Sequence, residues 1–111
     1  MLGKHPYLNI SGIKNEDIFT KEIIDNDITN AVRKWSKFSS IDEIRINVEK
    51  HDVEGKRKKY SVKAELSSNQ GILHAEHSSW KLPLSVKKVL DKLERELIKQ
   101  KEKGSTRPRA P

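Results

Sequence analysis

"EIRINVEKHDVEGKRKKYSVKAELSSNQGILHAEHS", Glu43 to Ser78, is the stretch that decides how this chain folds. Ile44, Ile46 and Val48 alternate with Arg45, Asn47 and Glu49, and Tyr60, Val62, Ala64 and Leu66 alternate with Ser61, Lys63 and Glu65. A period of two sends successive side chains to opposite faces, so each run predicts a strand with one buried and one wet face. Between them "HDVEGKRKK" carries Gly55 and a basic run from Lys56 to Lys59, the profile of a solvated hairpin loop. "SSNQG" closes a second hairpin, and "ILHAEHS" is the weaker strand that follows it. Three consecutive strands joined by short loops predict an antiparallel run.

Upstream, Leu8 and Ile10 alternate with Asn9 and Ser11 before Gly12 breaks the pattern, which predicts a short strand over Tyr7 to Ser11. The period then changes. Ile24, Ile28, Ala31, Val32, Trp35 and Phe38 recur at helical spacing, so an amphipathic helix lies within Ile18 to Phe38, with Asn26 or Asp27 able to cap a later start. Downstream, Val86, Val89, Leu90, Leu93 and Leu97 mark a long last helix with Pro83 near its first turn and Gly104 as its expected end. "STRPRAP" is too polar and proline-rich to fold alone.

The order is β-α-β-β-β-α. Each helix has one apolar stripe, and burying both stripes on one side of a four-stranded sheet makes a two-layer α+β domain with two helices on one face. The other sheet face, carrying Arg45, Asn47, Ser61 and Lys63, stays in water. Residues 1–104 form one domain in this reading, and residues 105–111 a flexible basic tail.

The chain has 111 residues, 23 Lys+Arg against 16 Asp+Glu, and no cysteine. The net charge of +7 favours a polyanionic partner. Absence of cysteine excludes disulfide frameworks, thiolate zinc sites and cysteine nucleophiles, and fits a reducing, cytoplasmic compartment. The N-terminal "MLGKHPYLNISG" lacks the apolar core of a signal peptide, and no run approaches a membrane span.

The charge has a pattern. Lys88, Lys92, Arg95 and Lys99 fall at i, i+4, i+7 and i+11, sharing one helix face roughly 140° from the apolar stripe over about 16 Å of axis. Asp91, Glu94, Glu96 and Glu102 are available as ion-pair partners along the same helix. From Lys87 to Arg109, however, nine Lys+Arg face four acids, a local surplus of five that phosphates would balance by counterion release. On the first helix Arg33, Lys34 and Lys37 lie opposite Ile28, Val32 and Trp35, while Glu22, Asp25 and Asp27 sit nearer its front, so this patch also suits the helix dipole. Two basic helices on one layer suit a cleft in folded RNA better than a single strand.

Other chemistry is weakly signalled. Most aromatics fall on apolar phases, against a stacking platform, and Trp80 before the last helix reads as a core or hinge residue. His74 and His77 of "HAEH" are three apart, which in a strand sends them to opposite faces and prevents chelation. His5 and His51 fall in expected loops. With no phosphate-cradling glycine loop, serine elbow or carboxylate pair, neither a catalytic centre nor a cofactor or metal site is expected.

"INVEKHDVEGKRKKYSVKAELSSNQGILHAEHSSW" followed by "VLDKLERELIKQKEKG" resembles the ribosome hibernation promoting factors and protein Y, also called sigma-54 modulation proteins. The resemblance is clearest from Ile44 to Gly104 and weaker over "LNISG" and the first helix. It implies the fold inferred above. It also implies binding to the small ribosomal subunit in the channel of messenger RNA and transfer RNA, with inhibition of translation. Family members contact ribosomal RNA through basic helix residues, which here match Arg33, Lys34, Lys37, Lys87, Lys88, Lys92, Arg95 and Lys99. Lys81 stands where many relatives have a capping aspartate, and Pro83 and Leu84 replace commoner types. The expected protein is monomeric when free, acts by occupancy and binds no membrane. A sigma-54-type protein-binding module and a general double-stranded nucleic-acid binder are the alternatives.

Overall fold

The computed structural model describes residues 8–52, 58–69 and 71–106. Within them the alternating runs become long strands: β1 Leu8–Ser11, β2 Ile41–Asp52, β3 Lys58–Ser68 and β4 Gly71–Ser79, with helices α1 Ile18–Trp35 and α2 Leu82–Thr106. Tyr7, Gly55, Lys56, Arg57, Gln70 and residues 107–111 of the expected tail lie outside the described residues.

The sheet order is β1-β2-β3-β4. Antiparallel pairing sets Ile44 opposite Leu66, Ile46 opposite Ala64 and Val48 opposite Val62, which gathers the apolar phase of both strands on one face. β3 and β4 pair antiparallel from Tyr60↔Ser79 to Ser68↔Gly71. β1 joins the far edge parallel to β2, with Leu8 opposite Ile44 and Ile10 opposite Ile46. Parallel neighbours need a crossover, and α1 supplies it.

α1 starts at Asp17, whose side chain accepts from the Thr20 backbone N–H at 2.8 Å. That bond holds the Asp17 carboxyl below its ordinary range. The helix then runs through Asn26 and Asp27, which cap nothing, because the stripe Ile24, Ile28, Val32 and Trp35 buries as one continuous face. Ala31 and Phe38 pack beside that face, half buried.

α2 starts at Leu82, with Ser85 N–H donating to Lys81 O at 3.1 Å. Just ahead of the helix the Ser79 hydroxyl accepts from Lys81 N–H at 3.2 Å and lies 2.6 Å from the buried Ser85 hydroxyl. The helix does not stop at Gly104 but continues to Thr106. Among the described residues only Gly12 and Gly71 have positive φ, so Gly104 does not form a left-handed cap, and a helical glycine costs only about 1 kcal/mol.

α2 packs on β3 and β4 and beside α1. Leu82, Val86, Val89, Leu90, Leu93 and Leu97 meet the α1 stripe and the inner sheet residues in one core. One polar joint fixes the two helices: the fully buried Trp35 indole donates from Nε1 to Glu94 Oε1 at 3.0 Å, and Lys34 Nζ reaches Glu94 Oε2 at 3.0 Å. Chiefly through the Trp35 bond, opposed by burial and aided by Lys34, the Glu94 carboxyl lies below its ordinary 4.5.

Two outcomes follow. Gly12 has φ of 90° and a Cβ there would strike the Val48 carbonyl, so Gly12→Ala is expected to destabilise by about 2 kcal/mol or more in urea unfolding. Glu94→Ala strands the Trp35 N–H and is expected to cost roughly 1–3 kcal/mol at pH 7. Because the folded-state value is the lower one, the ionised carboxylate stabilises fully above about pH 4.5 and loses that contribution as the pH falls through the folded value. The gap between wild type and Glu94→Ala should therefore narrow in unfolding curves taken at pH 3.

Candidate nucleic-acid interface

With its apolar stripe pressed on β3 and β4, α2 turns its remaining faces in fixed directions. At 100° per residue, Lys87 and Glu94 point toward α1, Lys88 and Arg95 outward, and Lys92 and Lys99 toward β4. Contacts agree with this placement. Lys92 Nζ donates to the Glu76 carbonyl of β4 at 2.6 Å, and Lys99 lies 3.7 Å from Glu96 one turn back. A groove of about 420 Å³ between α2 and the β4 edge is lined by Ile72, His74, Lys92, Arg95 and Lys99 among others. Among the described residues Lys88 and Arg95 enter no ion pair, and both are exposed.

The residues expected on the first helix stand apart from this stripe. Lys34 is held by Glu94. Arg33 Nη1 approaches Asn30 Oδ1 at 3.5 Å, and Lys37 lies past the end of α1, in a turn where its N–H donates to Lys34 O. The groove between the helices holds Asp27, Asp91 and Glu94 against Lys34 and Lys87. Three carboxylates outweigh two ammonium groups there, so the helix layer is not one unbroken basic surface. Helical periodicity located the cations but could not see this intervening acid, because Glu94 and Lys34 are 60 residues apart in sequence.

Around β4 the α2 stripe meets residues of both signs on the sheet. A second groove, about 470 Å³, joins Lys92 to Lys63, His74 and Glu76 on the open sheet face. Lys63 was legible as a wet-face residue, but its link to the helix stripe was not, since that depends on β4 being the sheet edge beneath α2. Across the open face Arg45 pairs with Glu43 at 3.1 Å, which with the Glu65 charge holds its guanidinium above the ordinary value. His74 stands opposite Glu65 and His77 opposite Val62, so the two imidazoles face different ways. Among the described residues no three His, Asp or Glu side chains gather to hold a metal, and no helix is long and apolar enough to cross a membrane.

Of the core and hinge roles expected for Trp80, the structure shows the hinge. It occupies the hinge between β4 and α2 but is 44% exposed, with Lys59 Nζ 5.9 Å from the ring centroid.

The fold has counterparts among solved structures. A ribosomal subunit interface protein from Coxiella burnetii superposes with a TM-score of 0.65 at 18% identity, covering 86% of this chain and 97% of that one. The protein Y N-terminal domain of Thermus thermophilus superposes with a TM-score of 0.51 at 14% identity, covering 84% and 94%. No curated protein matches the sequence. Residues 7–110 match the family described as hibernation factor Hib, C-terminal domain. That match spans nearly the whole chain and agrees with the resemblance read from Ile44 to Gly104, so the chain belongs to the hibernation factor Hib C-terminal domain family.

Proposed function

We propose that this chain is a ribosome-associated hibernation factor that silences translation by occupying the channel of messenger RNA and transfer RNA on the small subunit. It acts by occupancy and catalyses nothing. Membership of the hibernation factor family supports the association, and the observation that carries the binding surface is the α2 row of Lys88, Lys92, Arg95 and Lys99 along the β4 edge. Such a row suits a phosphate-lined cleft, where cations position the protein and the shape of folded RNA selects the site. Ribosomal RNA is the proposed ligand, the protein is monomeric when free, and its compartment is that of the ribosome.

The residues would contribute unequally. Lys88 and Arg95 project outward and give phosphates access to their full charge. Lys92 can swing from a single carbonyl, and Lys99 from an exposed partner, at small cost. Lys34 is already matched by Glu94, so its part is the helix joint more than the RNA. Arg33, Lys37 and Lys87 form a secondary contact on the other side of α2.

Co-sedimentation with purified ribosomes and separated subunits over a salt series, with excess duplex RNA as competitor, tests the reading. Retention on the small subunit despite competitor, weakening as salt rises, is the expected result. Failure to pellet at low salt would sink it, and binding that survives nuclease treatment would favour the protein-binding alternative; equal affinity for arbitrary duplexes would favour the general binder. Reversal of Lys88, Lys92, Arg95 and Lys99 together to Glu should abolish small-subunit binding while the melting curve stays cooperative. Singly, Arg95→Ala should lower the salt slope by about one, whereas Lys34→Ala should leave the slope nearly unchanged and reduce stability instead.

A further inference from the structure

Three large apolar side chains stand in water at the front of α1: Ile18 is 54% exposed, Phe19 74% and Ile23 47%. Single exposed apolar residues are ordinary, but these three crowd into less than two turns of one helix. At 100° per residue Phe19 lies about 175° from the centre of the buried stripe Ile24, Ile28, Val32 and Trp35, and Ile23 about 135° from it. Both therefore project away from the sheet. Phe19 and Ile23 are one i, i+4 ridge, and Ile18 and the exposed Glu22 form a second ridge beside it.

Charge at this end runs against that of the molecule. Residues 16–27 carry five acids, Glu16, Asp17, Glu22, Asp25 and Asp27, and one base, Lys21, in a chain of net charge +7. Glu16 is matched by Lys50 of β2, and Asp17 accepts the Thr20 N–H. Lys21 lies about 25° from the centre of the stripe and so is turned from the outward face. Glu22 stands on that face, and Asp27 borders it in the groove toward α2, where Lys87 faces Asp27, Asp91 and Glu94 together.

An apolar ridge edged by carboxylates repels phosphates and anionic lipid headgroups alike, and it suits the opposite pattern, apolar residues edged by ammonium or guanidinium groups. We propose that the outward face of α1, built on Ile18, Phe19, Glu22 and Ile23, docks a basic amphipathic helix of a partner protein. Its apolar residues pack over the Phe19 and Ile23 ridge, and lysines or arginines on its flank meet Glu22 and Asp27. Phe19 is the anchor, because a ring left three-quarters in water has the most area to bury. The α2 row of cations lies on the neighbouring helix beyond the interhelical groove, so this inference does not depend on the RNA-binding reading.

The full chain is titrated into a fluorescein-labelled, fourteen-residue amphipathic peptide of leucine and lysine, and into its counterpart of leucine and glutamate. Phosphatidylcholine vesicles are added as competitor, and light scattering follows the chain alone. Saturable binding of the lysine peptide, weakening as salt rises, with none of the glutamate peptide, is expected. Phe19→Ala should weaken it roughly ten- to a hundredfold, and Glu22→Lys should weaken it and flatten its salt dependence. Both positions are exposed, so melting curves should match wild type, and Ile23→Ser supplies a further variant should Phe19→Ala alter the fold. No saturable binding of the lysine peptide, unchanged affinity in Phe19→Ala or in Glu22→Lys, or equal binding of the glutamate peptide would overturn the docking face. Vesicles that displace the peptide would assign the patch to a membrane, and dimers of the chain abolished by Phe19→Ala would assign it to a second copy; either result overturns the proposal.

Discussion

α2 can bury Val86, Val89, Leu90, Leu93 and Leu97 only by lying along β3 and β4, and much of the molecule's surface character follows from that docking. A helix pressed down on one stripe has its other faces fixed by the 100° step between residues. Lys92 and Lys99 are thereby carried to the rim of the sheet and Lys88 and Arg95 to its roof. The same placement protects the edge strand: Lys92 satisfies the Glu76 carbonyl, and a row of charge stands where a second chain would otherwise pair. Burial and the charged surface are two sides of one helix.

The interhelical joint divides the cations into two kinds. Trp35 brings a buried indole N–H that needs an acceptor, and Glu94 supplies it with one oxygen while the other holds Lys34. A carboxylate placed for packing thus consumes the charge of a lysine that would otherwise add to the basic face. Asp27 and Asp91 extend the acidic lining of the same groove. The molecule is strongly basic in sum, yet among the described residues acid interrupts the helix layer, while Lys88, Lys92, Arg95 and Lys99 stay together on α2.

The open face of the sheet has its own pattern for a related reason. Antiparallel pairing of β2, β3 and β4 stacks like parity with like, so polar residues form rows across the open face as surely as apolar residues form the core. One such row ends in His51, Lys59 and Trp80. Family membership speaks for the fold and the broad role, whereas the chemistry of this row is a property of these particular side chains.

Periodicity by itself determined the element order, the two apolar stripes, the wet and buried strand faces, and the alignment of Lys88, Lys92, Arg95 and Lys99, because each depends only on neighbours within a few residues. The residues from Ile44 to Gly104 also carried the family. Several local judgements failed where local signals compete: Asn26 and Asp27 can cap a helix but do not when Asp17 already does, and Gly104 can end one but is carried through to Thr106. Tertiary structure alone decided that β1 lies parallel at the far edge, that Glu94 meets Trp35 and Lys34, that Lys63 joins the α2 stripe, and that Trp80 is left half in water. Each of these is a meeting or exposure set by residues far apart along the chain, which no period of two or 3.6 encodes.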